Sequence, residues 1–479
     1  MSSNDPDSPS RGLHADGAPD RRRAPLGAAA HAAPLTLSRQ TMTQHDPEQT
    51  SPWGDGSAAD PSSGSSVATT PEGEIQTGPP TAALASSSTR QAILGALFLM
   101  ATSAIGPGFI TQTANFTVQL GAAFAFAILV SILVDIAVQL NVWRVIGVSG
   151  LKAQQLGNAV LPGIGWLVAV LVAIGGLVFN IGNTAGGGLG INAMTGLDAK
   201  WGGLITAVLA IAVFLSKKAG MALDKIVIGL GVVMILVTGY VAIVSDPPVG
   251  EAVKNMVIPD QVSFVVITTL IGGTIGGYIT YAGAHRMVDS GITGPENAKR
   301  ISNSSVLGII ITGVMRFLLF LAILGVVAGG AQLTGENLAA QAFEHAAGEI
   351  GLRLFGLILW AASISSVIGA AYTSVSFLTS EKTSGRTRNI LTVAFIAVSA
   401  LVFLLLGQAP STLLIVAGAV NGLILPIGFT VIIIVAWFRR DLLHGYRYPV
   451  WLASIGSVAL LVCFFLGLKS LTGIAALWA

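Results

Sequence analysis

Two short stretches of this chain place glycine, proline and neutral polar residues inside runs that are otherwise apolar. The first is Gly106-Pro107-Gly108-Phe109, followed by Thr111, Gln112, Thr113 and Asn115. The second is Gly272-Gly273-Thr274-Ile275-Gly276-Gly277, followed by Tyr278, Thr280 and Tyr281. Proline removes a backbone donor and glycine tolerates dihedrals other residues avoid, so a helix crossing either stretch is expected to break. A helix that restarts near Phe109 presents free N–H groups and a positive dipole end to the break. That is chemistry for an anion, a carboxylate above all. Thr111, Gln112, Thr113 and Asn115 supply hydroxyls and amides just beyond, and Tyr278, Thr280 and Tyr281 an aromatic and polar wall. Thr111 and Thr280 are equally suited to helix–helix packing, where small polar residues are common.

The elements that must position these residues are membrane spans. The chain is 53% hydrophobic and only 10% charged, with a mean hydropathy of +0.76. Eleven apolar runs lie at roughly 92–122, 124–143, 160–184, 201–216, 224–245, 262–284, 304–328, 347–378, 388–407, 411–438 and 448–467. Runs of about 20 residues without strict alternation are helices. Residues 92–122 would rise about 46 Å as one helix, against a hydrocarbon core of about 30 Å, so a break inside them is required. Interrupted helices at matching places in two halves point to an inverted-repeat transporter. Spans 1–5 and 6–10 would be the halves, with span 11 added. The matching tetrads Gly108-Phe109-Ile110-Thr111 and Gly277-Tyr278-Ile279-Thr280 echo that symmetry.

With the N-terminus inside, the cytoplasmic loops hold fourteen Lys and Arg residues, among them Arg144, Lys152, Arg286, Lys299 and Arg300. The opposite side holds four, Lys200, Lys254, Arg353 and Lys469. The positive-inside bias predicts N-in, C-out. Spans 1, 3, 6 and 10 contain no Asp or Glu. Asp135 in span two and Arg316 in span seven each need a partner or water at that depth, and Asp135 is the acid able to take a coupling proton. His285, beside Arg286, is expected in a loop or interfacial setting. The single Cys463 excludes an intrachain disulfide and a Cys metal cluster. Residues 1–88 are rich in Ser, Pro, Asp, Gly and Ala, carry Arg21-Arg22-Arg23 and lack a signal-peptide core; they are expected to form a disordered cytoplasmic tail, with Met42 an alternative start. Residues 89–479 form the membrane domain. A net charge of +2 gives no reason to expect a nucleic-acid partner.

The stretch Asn180-Ile181-Gly182-Asn183, Gly186, Asn192, Gly196 and Trp201-Gly202-Gly203-Leu204-Ile205-Thr206 resembles the NRAMP family of secondary transporters. Val257-Ile258-Pro259 and Leu425-Pro426 fit the same pattern. The resemblance covers about 90–445. It implies an all-α integral membrane protein of the LeuT-type 5+5 inverted repeat, with about 11 transmembrane helices and broken helices 1 and 6. The family binds metal with D-P-G-N in span one and M-P-H in span six. Here Gly106-Pro107-Gly108-Phe109 takes the first place. Thr280-Tyr281-Ala282, or Tyr278-Ile279-Thr280 in a second register, takes the second. The acidic pair of the family's proton route falls on Asn180 and Asn183, amides that carry no proton at physiological pH and are equally fit for interhelical hydrogen bonds.

Transition metals favour imidazole, thiolate or thioether and hard cations favour carboxylates. Neither motif position supplies such a set, so no metal site is assigned. The expectation is an inner-membrane secondary active transporter of a small organic solute, a carboxylate or amino-acid-like compound, coupled to H⁺ or Na⁺. Substrate contacts are expected from Gly106, Pro107, Gly108, Phe109, Thr111, Gln112, Tyr278, Thr280 and Tyr281. A polar coupling pathway is expected through Asp135, Asn180, Asn183 and Arg316. The alternatives are import of Mn²⁺, Fe²⁺ or Mg²⁺, as the family does, and a non-transporting sensor on the same fold. No nucleophile–base pair points to an enzyme, no cofactor is expected, and the oligomeric state is not legible.

Overall fold

The computed structural model describes residues 93–97, 99–101, 103–380 and 382–476. The expected tail, with Arg21 to Arg23 and Met42, lies outside the described residues. Among those described, every regular element is helical. Helix α1 (helical at 93–97, 99–101 and 103–104) leads into α2 (Pro107–Leu120) and α3 (Phe124–Ser149). Then come α4 (Ala153–Val160), α5 (Ile164–Thr195), α6 (Ala199–Leu215), α7 (Lys217–Val244) and α8 (Val249–Val257). The second half holds α9 (Phe264–Ile275), α10 (Ile279–Asp289), α11 (Ala298–Ala328), α12 (Leu338–Leu378), α13 (Gly385–Leu406) and α14 (Pro410–Phe438). Helix α15 (Val450–Ala476) closes the chain.

Eight helical runs are long and apolar enough to cross a membrane, and nine if the pair formed by Ile228–Val244 and α8, bent by 107°, counts as one. Two features connect that number with the eleven apolar runs of the sequence. The run Pro107–Ser149 contains both α2 and α3. Gly121 ends α2 at φ +55 and ψ −135, outside helical space. Phe116 and Phe124 then lie with ring centroids 5.8 Å apart, where eight residues of straight helix would separate them by about 12 Å. The chain therefore turns at Gly121 rather than continuing as one straight helix. Helix α6 is apolar but has 17 residues.

Several elements differ from the sequence expectation. Helix α5 runs on to Thr195, so Gly186 and Asn192 lie on it. The segment 249–257 forms the short α8, and 153–160 forms α4. Both are too short for a span and have hydrophobic residues on one face only, which hid them from a search for apolar runs. Helix α12 begins at Leu338, ahead of the expected 347, and kinks at Gly348 (φ +64).

Helix α5 is the hub of the bundle, and its glycines make it so. A Cβ at Gly186 would stand 2.3 Å from Pro107 of α2, one at Gly188 2.0 Å from the Ala199 carbonyl of α6, and one at Gly190 2.6 Å from the Trp360 nitrogen of α12. Small residues let backbones approach closely where lipid offers no hydrophobic drive between helices. The polar groups inside the bundle are paired where they carry charge. Arg316 of α11 meets Asp135 of α3 at 2.9 Å, with side chains 1% and 3% exposed.

Candidate functional site

Both breaks fall within the stretches expected. Helix α1 ends at a turn over Ile105 and Gly106, and α2 starts at Pro107 with Gly106 extended at ψ 178. No side chain caps α2, its first turn carries no acid, and its first intrahelical donor is Ile110 N–H to the Gly106 carbonyl. The amides of Gly108 and Phe109 thus lack an intrahelical partner. The restart comes two residues earlier than Phe109, because proline is well suited to the first helical position. In the second half α9 stops at Ile275, Gly276 and Gly277 turn the chain, and α10 starts at Ile279. Gly277 has φ +54, and a Cβ there would lie 1.8 Å from Asn421 Oδ1 of α14. Only glycine satisfies both the left-handed backbone and the close approach.

Phe179 of α5 joins the two breaks. Its ring lies 3.5 Å from the position of a Cβ on Gly108 and packs edge-on to Tyr278 with centroids 5.5 Å apart. Asn183 of α5 and Ser103 of α1 stand beside the Tyr278 hydroxyl. Ser366 of α12 approaches Gly106, where a Cβ would be 2.8 Å from its Oγ. The buried polar atoms without a hydrogen-bond partner among the described residues include Ser103 Oγ and Asn183 Nδ2 beside Tyr278 and Asn421 Oδ1 against Gly277. Buried polar atoms are nearly always satisfied in native proteins.

The other expected residues take different positions. Gln112 is fully buried and donates from Nε2 to the Leu414 carbonyl of α14 at 3.0 Å. Its amide is wedged between Gly273 of α9 and Gly418 of α14, where added Cβ atoms would lie 2.1 and 2.2 Å from it. It clasps α2, α9 and α14 together at the α2 side of the break. Thr111 is 6% exposed, and its carbonyl accepts from Asn115 Nδ2 at 2.8 Å. Tyr281 does not share the Tyr278 cluster. It packs against Phe377 of α12 at 5.2 Å, and its hydroxyl meets Gly428 of α14. Asn180 Nδ2 donates to Ser399 of α13 at 3.2 Å. Asp135 and Arg316 pair with each other on the α3–α11 seam, and Arg316 Nη1 also reaches Ser131 Oγ at 3.3 Å.

His285 corrects the expectation of an interfacial setting: it is 1% exposed. Its Nε2 accepts from the Ala153 N–H of α4 at 3.1 Å, which leaves the proton on Nδ1, 3.0 Å from Ser376 Oγ of α12. Nearby, Lys152 Nζ meets Asp289 at 2.7 Å, and the Tyr372 hydroxyl donates to Asp289 at 2.9 Å. These contacts tie α10 to α4 and α12 on the α1 side of the break. Phe179, Ser103 and Asn421 were missed in the sequence. The available signal was that Asn421 is a lone amide in an apolar span, four residues before Leu425-Pro426. Among the described residues no group of three or more His, Cys, Asp or Glu is placed to hold a metal ion.

Residues 97–473 match the family model for natural resistance-associated macrophage protein-like sequences. The chain belongs to the Nramp family. Its similarity to curated proteins is high: 50% identity over 390 residues with the uncharacterised membrane protein YcsG of Bacillus subtilis, covering 81% of this chain and 96% of that one. An uncharacterised membrane protein of Haemophilus influenzae is 49% identical over 383 residues, covering 80% and 96%. Among solved structures, a manganese transporter from Eremococcus coleocola superposes with a TM-score of 0.63 at 17% identity, covering 83% of this chain and 89% of that one. MhsT in complex with L-phenylalanine superposes with a TM-score of 0.58 at 16% identity, covering 78% and 98%. This Nramp protein is therefore a multi-pass membrane transporter with the LeuT-type fold and broken helices 1 and 6.

Proposed function

We propose that this Nramp protein is a secondary active transporter of the bacterial inner membrane that carries a small organic solute bearing a negative charge, a carboxylate or amino-acid-like compound. The observation that carries this reading is the meeting of the uncapped N-terminus of α2 with an uncharged cluster, Tyr278, Asn183 and Ser103. A protein site without its own anion favours a cargo that brings one, and free helix N–H groups in a discontinuous span are suited to hold it. The same fold in MhsT holds L-phenylalanine. Phe179 and Tyr278 would face the apolar part of the solute.

In this reading the N-terminus is cytoplasmic. The Gln112 clasp is then the extracellular closure, and the Lys152–Asp289–Tyr372 contacts with the His285 hydrogen bonds are the cytoplasmic one. The cycle opens one while the other stays shut. The driving ion is H⁺ or Na⁺. Asp135 is the acid proposed to accept a coupling proton, at the expense of its pair with Arg316.

Uptake by proteoliposomes tests the reading. Labelled amino acids and small organic acids, driven by imposed proton or sodium gradients, should accumulate and should compete with one another. Labelled Mn²⁺ accumulating instead would restore the metal-transport reading, and binding without flux would make the protein a sensor. If Asp135→Asn leaves gradient-driven uptake intact, the coupling role goes while the cargo assignment stays.

A further inference from the structure

Two cavities meet on α1. The first, about 410 Å³, is almost wholly apolar and runs along Leu94, Leu97, Ala101 and Ile105, walled by α7 at Gly231 and by α12 at Ile358. The second opens beside it and shares Leu94 and Leu97, but its other wall is the start of α11 with Lys299 and Arg300 and, in the turn before it, Glu296. Lys299 and Arg300 are exposed, so the mouth carries a net positive charge against the one Glu. The apolar chamber is open sideways, since Ile228 and Val232 of its α7 wall are 51% and 54% exposed.

A basic mouth continuous with an apolar slot that opens towards the bilayer has the shape of an amphiphile. We propose that this is a binding site for an anionic phospholipid of the leaflet on the α1 side, with its phosphate at Lys299 and Arg300 and one acyl chain between α1 and α7. The dimensions agree. From Leu94 to Ile105 the helix rises about 16 Å, and one leaflet of the hydrocarbon core is about 15 Å deep. Basic pockets on the cytoplasmic side of helix bundles recognise such headgroups. A chain seated there fills the chamber between α1 and α7. It would hold α1 in place beside the break at Gly106. The inference stands apart from the identity of the cargo.

Native mass spectrometry of the purified full chain tests it, with phosphatidylglycerol and phosphatidylcholine offered in equal amounts. Phosphatidylglycerol should be retained about tenfold or more over phosphatidylcholine, as two basic contacts near the surface confer. Lys299→Gln with Arg300→Gln should abolish that preference while leaving a lipid bound. Gly231→Leu should lower occupancy of both lipids, because a Cβ there meets nothing within 4 Å and the side chain can enter the slot. Gly229→Leu is the control. It also meets nothing within 4 Å and gains the same helix propensity, but it does not line the chamber. Equal retention of the two lipids, equal effects of the two glycine substitutions, or displacement of phosphatidylglycerol by inorganic phosphate at comparable concentration would overturn the proposal.

Discussion

Removing the carboxylate of Asp135 leaves the Arg316 guanidinium inside the bundle with, among the described residues, only Ser131 Oγ, at 3.3 Å, to meet it. The two charges lie 2.9 Å apart, so at an effective dielectric of about 20 their attraction is at most about 6 kcal/mol. Desolvation of both groups offsets much of that. What the single substitution reports is the uncompensated charge, about 3–5 kcal/mol for a buried pair. Asp135→Ala and Arg316→Met should each destabilise by about that amount, whereas the double variant should recover most of it, since two neutral side chains bury no charge. Equilibrium unfolding in mixed micelles, run as a double-mutant cycle, measures the coupling. Single variants costing under about 1 kcal/mol, or a double variant whose loss is the sum of the two, would refute a buried pair with this geometry.

The remaining predictions concern the two breaks, their closures and the loop before α9. Gly277→Ala forces a left-handed backbone on a residue with a Cβ and drives it into Asn421. It should cost about 1–3 kcal/mol and depress uptake, measured by thermal unfolding and transport on the same preparation. Gln112→Leu leaves the buried Leu414 carbonyl without its donor, a loss of about 1–3 kcal/mol. It should raise maleimide labelling of a cysteine placed at Thr113 in a Cys463→Ser background, and unchanged labelling would remove Gln112 from the closure. Tyr372→Phe deletes the hydroxyl that donates to Asp289 and should raise accessibility on the α1 side while leaving stability nearly unchanged. In the loop before α9, Asp260 is held below its ordinary range by hydrogen bonds from Asn255 and then Lys254. A carboxylate depressed in the folded state stabilises above its unfolded pKa and loses that contribution as pH falls through the lowered value. Amide protection across Asn255–Asp260, taken relative to intrinsic exchange at each pH, should therefore persist as pH passes the usual carboxylate value of 3.8 and fall only below it.

Both interrupted helices were legible because glycine and proline act locally. Gly106-Pro107 and Gly276-Gly277 remove a backbone donor or permit non-helical dihedrals at the break itself, although Gly186-Gly187-Gly188 in α5 and Pro426 in α14 stay helical. That Asp135 and Arg316 each needed a partner was also legible, since an unpaired charge at that depth is costly. That they satisfy each other across 181 residues was not, because pairing depends on how α3 and α11 pack. The two tyrosines show the limit of local reading. Tyr278 precedes the first turn of α10 and faces α5, whereas Tyr281 lies within the helix and faces α12 and α14. Their neighbouring numbers do not place them on one wall. His285 looked interfacial because α4 was invisible as an apolar run, and it is the Ala153 amide at the start of α4 that helps bury it. Phe179 sits beside Asn180 in the very stretch that carries the family resemblance. Nothing in its type distinguishes a ring lining a site from one filling a core.

Where the two breaks meet, Phe179, Tyr278, Asn183 and Ser103 leave the protein's side uncharged. Calorimetric titration of the purified protein with Mn²⁺ and, separately, with a panel of amino acids and small carboxylates tests it most directly. Heat of binding is predicted for a member of the organic panel, diminished by Phe179→Ala and by Asn183→Leu, with none for Mn²⁺. Micromolar Mn²⁺ binding that disappears on mutating Thr111 or Thr280 would contradict it.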